Sequence, residues 1–277
     1  MPELPETETI ARDLDGAATG IAIVASEVIR PDVLRGIEAA EFSHRIDGAA
    51  FVRFWRRAKS IIAELSSGDR LVVTPRFTGA LLIESAPAAH ASGYADYNCL
   101  RFDLNDGRTL RYRDVRRLGT VALMATDEFQ SWEARLGPEP LDPELTDERF
   151  SVLVRASGRA IKTILMDQHR MAGVGNIYAN EALWHAGIRP TRRGRSVTKL
   201  ESVRLLSVLR EILTESIALR GTSFRDYRDA FGGRGGYVER LQVYGRDGEP
   251  CFRCGAALQA HHTLEGRVTV WCRACQK

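Results

Sequence analysis

Four cysteines near the end of the chain constrain its fold more than any other sequence feature. They form two Cys-X-X-Cys pairs, Cys251 with Cys254 and Cys272 with Cys275, separated by seventeen residues. Two such pairs are typical of four thiolates around a tetrahedral Zn²⁺, with the residues between them forming a β-hairpin. A disulfide scaffold would need a higher density than five cysteines in 277 residues. The spacing therefore predicts one structural zinc ion.

The rest of the composition indicates a globular protein with a polyanionic partner. The apolar content is 44%, and no run of about 18 apolar residues occurs, so we expect no membrane span, no secretory signal and a cytoplasmic location. Residues 151–277 carry 21 Lys and Arg against 11 Asp and Glu, whereas residues 1–150 carry 18 against 25. A basic second half favours a polyanion, although a merely solvated basic surface has the same composition.

The N-terminus combines prolines and carboxylates at a predicted helix start. Gly20 ends this helix, and one helical face carries Leu4, Ile10, Ala11, Leu14 and Ala18. If Met1 is removed, Pro2 becomes a secondary amine beside Glu3 and Glu6. An α-amino group titrates near ~8 rather than ~10.4, so more of it is the nucleophilic free base at neutral pH. A solvated acidic terminus is the alternative interpretation of this segment.

Residues 21–125 consist of short alternating segments that predict an antiparallel β-sandwich or barrel. Segments 61–65 and 71–73 flank a turn at Gly68, and segments 100–104 and 110–112 flank a turn at Gly107, so both pairs predict β-hairpins. Cys99 lies on one of these strands and is expected to be a buried thiol without a role. Lys59 ends a basic run with interleaved aromatics, where a surface lysine is the usual finding.

The hydrophobic period becomes helical after a proline-rich linker at 131–145. Thr146 is a predicted N-cap, and Thr198 with Glu201 predicts a capping box for a helix ending near Gly221. Between them, a glycine turn ending at Asn176 precedes a predicted helix. Such a turn offers N–H groups to a phosphate, with a structural helix–turn–helix as the alternative. The glycine-rich residues 221–240 predict a mobile loop. The predicted domains are residues 1–130, 146–240 and 241–277.

Several motifs together resemble the formamidopyrimidine-DNA glycosylase/endonuclease VIII family, and the match covers nearly the whole chain. Leu4 and the run 243–251 are similar to the formamidopyrimidine branch rather than to endonuclease VIII. The motifs occur in the family's order and are Pro2-Glu-Leu-Pro-Glu6, Arg56-Arg-Ala-Lys59, Leu136-Gly-Pro-Glu-Pro-Leu141, Met166-Asp-Gln168, Gly173-Val-Gly-Asn-Ile-Tyr-Ala-Asn-Glu181, Val243-Tyr-Gly-Arg-Asp-Gly-Glu-Pro-Cys251 and Cys272-Arg-Ala-Cys-Gln-Lys277.

The resemblance implies an α+β fold of two domains, with DNA held in the cleft between them. The first domain has a helix and an antiparallel β-sandwich, and the second is a helix–two-turn–helix domain ending in a zinc-finger β-hairpin. The implied function is that of a monomeric bacterial DNA repair enzyme acting on damaged double-stranded DNA. Such an enzyme excises oxidised purines, 8-oxoguanine and formamidopyrimidines, and then cuts the abasic strand by β,δ-elimination. This chemistry needs a nucleophile, a proton donor and a flipped-out nucleotide.

Matched position by position, the resemblance implies roles for individual residues. Pro2 would attack the deoxyribose C1′, Glu3 would act as the acid/base, and Lys59 would assist β-elimination. Arg267, at the tip of the zinc hairpin, would bind phosphate and assist δ-elimination, and the zinc would fold that hairpin. The loop at 222–237 would close over the extruded base. Further DNA contacts are implied for Glu6, Phe77, Arg116, Leu118, Lys162, Asn176 and Tyr244, with Lys162 and Asn176 on the phosphate side.

The chain departs from the family pattern where the resemblance implies a wedge into DNA. Thr74-Pro-Arg-Phe-Thr-Gly79 replaces His-Leu-Gly-Met-Ser-Gly, and Asp114-Val-Arg-Arg-Leu-Gly119 replaces Asp-Pro-Arg-Arg-Phe-Gly. An aromatic and an aliphatic side chain have therefore traded places, at Phe77 and Leu118, which still allows a wedge. Thr74 removes the histidine's phosphate contact, for which Arg76 is a candidate replacement.

Two alternatives to oxidised-purine repair remain open from the sequence. The altered wedge is compatible with a preference for oxidised pyrimidines or abasic sites within the same fold. A non-catalytic DNA-damage binding protein is the alternative from another class. Retention of Pro2, Glu3, Lys59 and Arg267 argues against the binding protein, and all the expected chemistry depends on removal of Met1.

Overall fold

The structure is a computed structural model that describes residues 2–85, 97–262 and 264–277. Met1, on whose removal the expected chemistry depends, lies outside the described residues. The chain divides into two compact units. The first comprises Met1–Ala134 with Leu219–Val238, and the second comprises Arg135–Ala218 with Glu239–Lys277. Within the described ranges, no helix has both the length and the apolar character needed to cross a membrane.

The first unit begins with helix α1 (Leu4–Ala18), as the sequence predicts. Proline occupies its first turn, where the missing N–H has no helical partner to lose. Its apolar face is fully buried through Leu4, Ile10 and Leu14. The helix stops before Gly20, whose φ of 83° is a left-handed conformation that glycine adopts without steric cost.

Among its described residues, the first unit also contains eight strands and two further helices. The helices are α2 (Ala39–Ile46), between the first two strands, and α3 (Thr126–Glu133), after the last. The strands are β1 (Ile23–Val28), β2 (Phe51–Arg57), β3 (Ser60–Leu65), β4 (Arg70–Thr74), β5 (Gly79–Glu84), β6 (Asn98–Leu104), β7 (Thr109–Asp114) and β8 (Thr120–Met124).

These strands form the antiparallel sandwich that the sequence predicts. One four-stranded sheet has the order β2-β3-β4-β8 and the other has the order β1-β6-β7-β5. Both expected hairpins are present: β3 pairs with β4 and β6 pairs with β7, around turns in which Gly68 and Gly107 have positive φ. The two sheets and α1 bury one apolar core, to which Phe51, Phe102 and Ile10 contribute. Cys99 is fully buried, as expected.

The second unit is helical and ends in a short hairpin. Both predicted caps are formed: Thr146 accepts the Arg149 N–H at 3.3 Å, and the Glu201 N–H donates to the Thr198 hydroxyl at 3.2 Å while Glu201 Oε2 accepts from the Thr198 N–H at 2.8 Å. The elements are α4 (Asp147–Arg155), α5 (Ile161–Met166), α6 (Asn176–His185), α7 (Lys199–Ala218), β9 (Gln259–His261) and β10 (Thr269–Trp271), with a 3₁₀ turn at Gly194–Ser196. Further 3₁₀ turns lie at Pro31–Val33, in the first unit, and at Tyr237–Arg240.

Residues 219–238 belong to the first unit, although the sequence-based division places them in the helical domain. The physical reason is a set of long-range hydrogen bonds that sequence patterns do not show. Arg220 forms an ion pair with Asp13 on α1, and the Ile83 N–H of β5 donates to the Ala230 carbonyl at 2.9 Å. The segment, here called the 219–238 loop, is thus fastened to α1 and the sandwich.

Candidate active site

The expected nucleophile lies where α1 begins, beside two buried carboxyl groups. The Glu3 N–H donates to Glu6 Oε2 at 2.8 Å, and both side chains are only 1% exposed. The Glu3 carbonyl accepts from the Thr7 hydroxyl at 2.9 Å, which further fixes the first turn. Pro2 is buried at the same place. The acidic terminus is therefore an ordered part of the interior, which excludes the interpretation of a solvated tail.

Glu6 also bonds to the 219–238 loop. Its Oε1 accepts from the Thr222 N–H at 2.7 Å, while Oε2 holds the Glu3 N–H. The hydroxyl of Tyr227 donates to the Glu6 carbonyl at 3.3 Å, and burial raises the pKa of Tyr227, so this phenol stays a neutral donor. One side chain thus connects the first turn of α1 to a residue 216 positions away.

Lys59 lies in the tight turn between β2 and β3 and is partly exposed. The preceding residue, Ala58, has a left-handed φ of 53°, and Arg56 ties the turn to α1 through an ion pair with Glu8 at 2.8 Å. Thr74, which replaces the family's histidine, shares a 2.6 Å hydrogen bond with the Ser60 hydroxyl. The departure at Thr74 is therefore accommodated inside the sheet next to Lys59.

The three residues expected to form the wedge lie on two neighbouring loops of the sandwich. Phe77, on the β4–β5 loop, is 38% exposed, and Leu118, on the β7–β8 loop, is 39% exposed. The Arg116 guanidinium carbon lies 4.9 Å from the centroid of the Phe77 ring, within cation–π range. The structure therefore brings Phe77 and Arg116 together as a pair and leaves apolar surface open beside them.

Asp114 joins these two loops, a role that sequence reasoning missed. One of its carboxylate oxygens accepts from the Thr78 hydroxyl and from the Arg116 N–H. The other accepts from the Gly119 N–H at 2.8 Å and from the Tyr112 hydroxyl at 3.2 Å. Asp114 is 1% exposed. The sequence did contain a signal for this role, because Asp114 is the first residue of the Asp-Val-Arg-Arg motif. A buried carboxylate at that position needs several hydrogen-bond donors around it.

The 219–238 loop has a fixed base and an exposed aromatic surface. Arg220 bonds both Asp13 and Asp229, with 2.7 Å to the latter, and these carboxylates raise the pKa of Arg220 against the opposing effect of burial. Asp229 also accepts the Gly233 N–H at 2.7 Å. By contrast, Phe231 remains 62% exposed. A flat apolar ring held on an anchored loop is suited to contact a planar ligand.

In the second unit, the glycine turn before α6 is braced by Gln168. The Gly173 N–H donates to Gln168 Oε1 at 2.9 Å, and Gln168 Nε2 donates to the Val174 carbonyl at 2.9 Å. Asn176 is the first residue of α6, is 9% exposed, and its carbonyl accepts from Asn180 at 2.6 Å. Gln168 was not singled out from the sequence, although it closes the Met166-Asp-Gln motif.

Lys162 lies beneath the C-terminal hairpin. Its side chain is 0% exposed, and its ammonium donates to the Val268 carbonyl at 2.9 Å and to the Thr269 hydroxyl at 2.8 Å. Arg267, one residue before this contact, is partly exposed in the hairpin turn, where Gly266 has a positive φ. The predicted phosphate-side lysine is thus inside the protein, and the predicted phosphate-binding arginine is at its surface.

Tyr244 is positioned by Glu181 of α6, a third residue that sequence reasoning missed. Glu181 is fully buried and accepts the consecutive backbone N–H groups of Gln242, Val243 and Tyr244 at 2.7–3.0 Å. Burial raises the pKa of Glu181, and the three N–H donors oppose that shift. Tyr244 itself is partly exposed. This carboxyl group fixes the segment that leads into the cysteine pairs.

The four cysteines converge as their spacing predicts. Their sulfur atoms lie within 4.8 Å of one another, with Cys254 and Cys272 at 3.5 Å and Cys251 and Cys275 at 4.0 Å. Four thiolates around a tetrahedral ion, with metal–sulfur bonds of about 2.3 Å, place neighbouring sulfur atoms about 3.8 Å apart. The cluster therefore fits a four-coordinate metal ion and leaves no coordination position for a substrate.

Comparisons with known proteins agree with this architecture. Residues 1–121 match the formamidopyrimidine-DNA glycosylase N-terminal domain, and residues 136–228 match the formamidopyrimidine-DNA glycosylase H2TH domain. The formamidopyrimidine-DNA glycosylases of Heliobacterium modesticaldum and Thermomicrobium roseum are each 39% identical to this chain, over 100% of it and 100% and 99% of their own lengths.

Solved structures of the Lactococcus lactis enzyme Fpg are also similar. A point mutant bound to DNA containing Fapy-dG has a TM-score of 0.91, and the wild-type enzyme bound to DNA containing an oxidised pyrimidine has a TM-score of 0.90. Each is 32% identical and covers 100% of both chains. An antiparallel sandwich preceded by a helix, a helical unit and a four-cysteine hairpin define a two-unit DNA glycosylase architecture. The chain belongs to the formamidopyrimidine-DNA glycosylase family.

Proposed function

We propose that this protein excises oxidised purines from double-stranded DNA through a Schiff base on Pro2 and then cuts the strand by β,δ-elimination. The observation that carries the proposal is the buried first turn of α1, in which Glu6 holds the Glu3 N–H at 2.8 Å beside Pro2. Family membership supports it, because the similar Lactococcus enzyme was solved with Fapy-dG and with abasic-site DNA.

Pro2 is the proposed nucleophile once Met1 has been removed. A secondary amine at a helix N-terminus lies at the positive end of the helix dipole, which favours the uncharged, nucleophilic form over the ammonium. The amine attacks C1′ as the bond from C1′ to the base nitrogen breaks, and the leaving base takes up a proton. Glu3, buried next to Pro2, is the proposed source of that proton.

Strand cleavage follows once the sugar ring opens: the Pro2 nitrogen loses its proton and forms an iminium with C1′ as the C1′–O4′ bond breaks, and O4′ takes up a proton and becomes a hydroxyl. The iminium withdraws electrons, so a base can remove a proton from C2′ while the bond between C3′ and its phosphate oxygen breaks. This is β-elimination, for which Lys59 is the proposed helper. Loss of a C4′ proton and departure of the 5′ phosphate complete δ-elimination, with Arg267 proposed to stabilise the leaving phosphate. No step requires a metal at the reacting carbon.

DNA recognition is proposed to use surfaces on both units. Phe77, Arg116 and Leu118 would fill the gap that the flipped nucleotide leaves, because an exposed aromatic and an exposed aliphatic side chain are suited to unstack a base step. The 219–238 loop would contact the extruded base. Asn176, Tyr244 and Arg267 would contact the phosphate backbone, in keeping with the positive net charge of the second half.

The metal in the four-cysteine cluster is proposed to be a single structural Zn²⁺. Four sulfur ligands in a closed tetrahedral set are typical of structural zinc. When bound, the ion would fold the hairpin that presents Arg267. We also propose that the protein acts as a monomer on chromosomal DNA and therefore works in the bacterial cytoplasm.

The decisive experiment is borohydride trapping on a duplex that contains 8-oxoguanine. Protein whose N-terminus has been verified by intact mass as Pro2 should form a covalent adduct that maps to Pro2. The matched control carries one extra N-terminal residue, which leaves every other side chain in place and should abolish trapping. An adduct of equal yield on the extended protein would assign the amine to another residue, with Lys59 the first to test.

A second candidate substrate class is supported by one comparison. The Lactococcus enzyme was solved with an oxidised pyrimidine as well as with Fapy-dG, so the architecture accommodates both in that protein. Single-turnover excision of 8-oxoguanine, formamidopyrimidine, an oxidised pyrimidine and an abasic site ranks the substrates directly. Strong activity on the pyrimidine with none on either purine would replace our proposal. Binding of all four without cleavage would indicate a DNA-damage binding protein.

A further inference from the structure

The position of Lys162 differs from that of a phosphate ligand. Lysine is almost never fully buried unless its ammonium is held by partners, because removing the charge from water is costly. Lys162 is 0% exposed, and two of its hydrogen bonds go to residues 268 and 269 of the C-terminal hairpin, at 2.9 and 2.8 Å. The ammonium therefore bonds to the hairpin from its inner side.

The hydrogen bonds of Lys162 also connect it to the backbone of Arg267. The Thr269 hydroxyl, which accepts from Lys162, donates in turn to the Arg267 carbonyl at 3.3 Å. The Val268 carbonyl, which Lys162 also holds, belongs to the next residue in the chain. Lys162 therefore contacts the backbone next to Arg267 in two ways. It bonds directly to the Val268 carbonyl, and it bonds to the Thr269 hydroxyl, which in turn donates to the Arg267 carbonyl.

Two further bonds hold the same hairpin from the helical unit. The Val270 N–H donates to the Asn180 side chain at 2.9 Å, which fixes β10 against α6. Arg159 bonds Glu265 at 3.3 Å near the hairpin turn and bonds Asp167 at 2.7 Å. The helices before and after the glycine turn therefore define where the hairpin turn, and Arg267 within it, is placed.

We propose that Lys162 is a positioning residue for Arg267 and makes no phosphate contact of its own. Its ammonium bonds to the Val268 carbonyl and the Thr269 hydroxyl inside the protein. It affects DNA binding only by fixing where the hairpin holds the Arg267 guanidinium. This inference rests on the proposed function, in which Arg267 binds a phosphate of the damaged strand.

A double-mutant cycle tests the proposal with the full-length, metal-loaded protein. The variants are Lys162→Met, Arg267→Ala and the combination, and the probe is a duplex containing a tetrahydrofuran abasic analogue. We expect Lys162→Met to weaken binding severalfold and to lower the salt slope of binding by about 1, as Arg267→Ala does. In the Arg267→Ala background, Lys162→Met should have no further effect on either quantity. On a cleavable duplex that contains 8-oxoguanine, the share of δ-elimination product should fall in both single variants.

The control for net charge is Lys199→Met, which removes an exposed ammonium from the same unit. We expect it to leave affinity and salt slope unchanged. Thr269→Val removes the relay hydroxyl while keeping the side-chain shape, and should weaken binding in the wild type but not in Arg267→Ala. If Lys162→Met fails to retain the metal ion, the Thr269→Val comparison decides the question.

Two outcomes separate the inference from the function beneath it. If the effects of Lys162→Met and Arg267→Ala multiply, and the salt slope falls by a further unit in the double variant, Lys162 touches phosphate and our inference is wrong. If Arg267→Ala alone leaves affinity and salt slope unchanged, the proposed phosphate role of Arg267 fails, and the positioning role of Lys162 fails with it.

Discussion

The guanidinium carbon of Arg116 lies 4.9 Å from the centroid of the Phe77 ring, so an arginine that matches the family pattern and an aromatic residue that departs from it form one cation–π pair. The pair is possible because the aromatic side chain is on the β4–β5 loop in this chain rather than at position 118. The orientation of Arg116 therefore depends on Phe77. Among the three residues proposed to form the wedge, Arg116 carries the polar groups that would contact the edge of the opposite base.

Replacing Phe77 with Leu should lower the preference for an opposite cytosine. An exposed cation–π contact contributes about 0.5–1 kcal/mol, which corresponds to a two- to fivefold loss in the ratio of excision rates opposite cytosine and opposite adenine. Single-turnover excision of 8-oxoguanine opposite each base measures this ratio. Leu118→Ala is the matched control, because it removes wedge surface without touching the pair and should slow excision opposite all bases alike. An unchanged ratio in Phe77→Leu would refute the positioning of Arg116 by the ring.

Asp114→Asn should destabilise the first unit and loosen the β4–β5 and β7–β8 loops. Asparagine keeps one acceptor oxygen and turns an amide NH₂ group, which only donates, toward groups that also donate, among them the Gly119 N–H at 2.8 Å. Leaving one buried donor unsatisfied costs roughly 1–3 kcal/mol. Thermal unfolding compared with Asp32→Asn supplies the measurement, since Asp32 pairs with Arg117 at a half-exposed site and should contribute little. Equal melting temperatures for the two variants would contradict the role of Asp114.

The Thr198–Glu201 capping box predicts a specific pH dependence of stability. The hydrogen bond from Arg192 lowers the pKa of Glu201 from 4.5 to about 2, with further help from the Thr198 donors. A depressed folded-state pKa stabilises the protein above the unfolded value of 4.5, and this contribution disappears as the pH falls from 4.5 to about 2. Its upper limit at neutral pH is roughly 3 kcal/mol.

Glu201→Gln should therefore melt at a lower temperature than the wild type at pH 7, and the difference should shrink steadily between pH 4.5 and pH 2. Glu148→Gln is the control, because its carboxylate is 64% exposed in a surface ion pair with Lys199. That variant should follow the wild-type curve. A Glu201→Gln deficit that stayed constant down to pH 2 would assign the loss to packing rather than to the charge.

Cys272→Ser should release the metal ion and unfold the hairpin while the sandwich stays folded. The sulfur atoms of Cys272 and Cys254 lie 3.5 Å apart, and removing one ligand opens a closed four-sulfur set. Metal content by elemental analysis and DNA affinity should fall together, whereas the far-ultraviolet signal of the β-sheets should remain. Cys99→Ala, at a buried thiol of the first unit, should keep its metal. Full DNA affinity in metal-free protein would separate the cluster from binding.

Local patterns predicted much of the fold, because their causes are local. The hairpins around Gly68 and Gly107 follow from alternation of apolar residues and from a glycine that supplies a positive φ. The capping boxes follow from the reach of side chains over three residues. The cysteine pairs could be recognised for the same reason, since each pair lies within one turn of the chain.

Long-range partners could not be predicted from such patterns. In the sequence, nothing distinguishes Lys162 from other basic residues on short helices. Its burial as a hydrogen-bond donor depends on residues 268 and 269, which are remote in sequence. Asp114 and Glu181 were visible within quoted motifs, but the Thr78 hydroxyl that bonds Asp114 and the N–H groups of residues 242–244 that bond Glu181 come from remote segments. The 219–238 loop was assigned by its neighbours in sequence, whereas its bonds to α1 and β5 decide where it belongs.

The carboxylate of Glu6 accepts one N–H from residue 3 and another from residue 222. The first turn of α1 and the 219–238 loop are therefore energetically coupled. Thermodynamic linkage requires that such coupling act with equal strength in both directions. A ligand that displaces the loop therefore changes the stability of the turn that carries Pro2. Conversely, a change at the N-terminus alters the stability of the loop, through the same hydrogen bonds of Glu6. If Met1 is removed, we therefore expect the change at the chain end to alter the stability of the loop even before DNA binds.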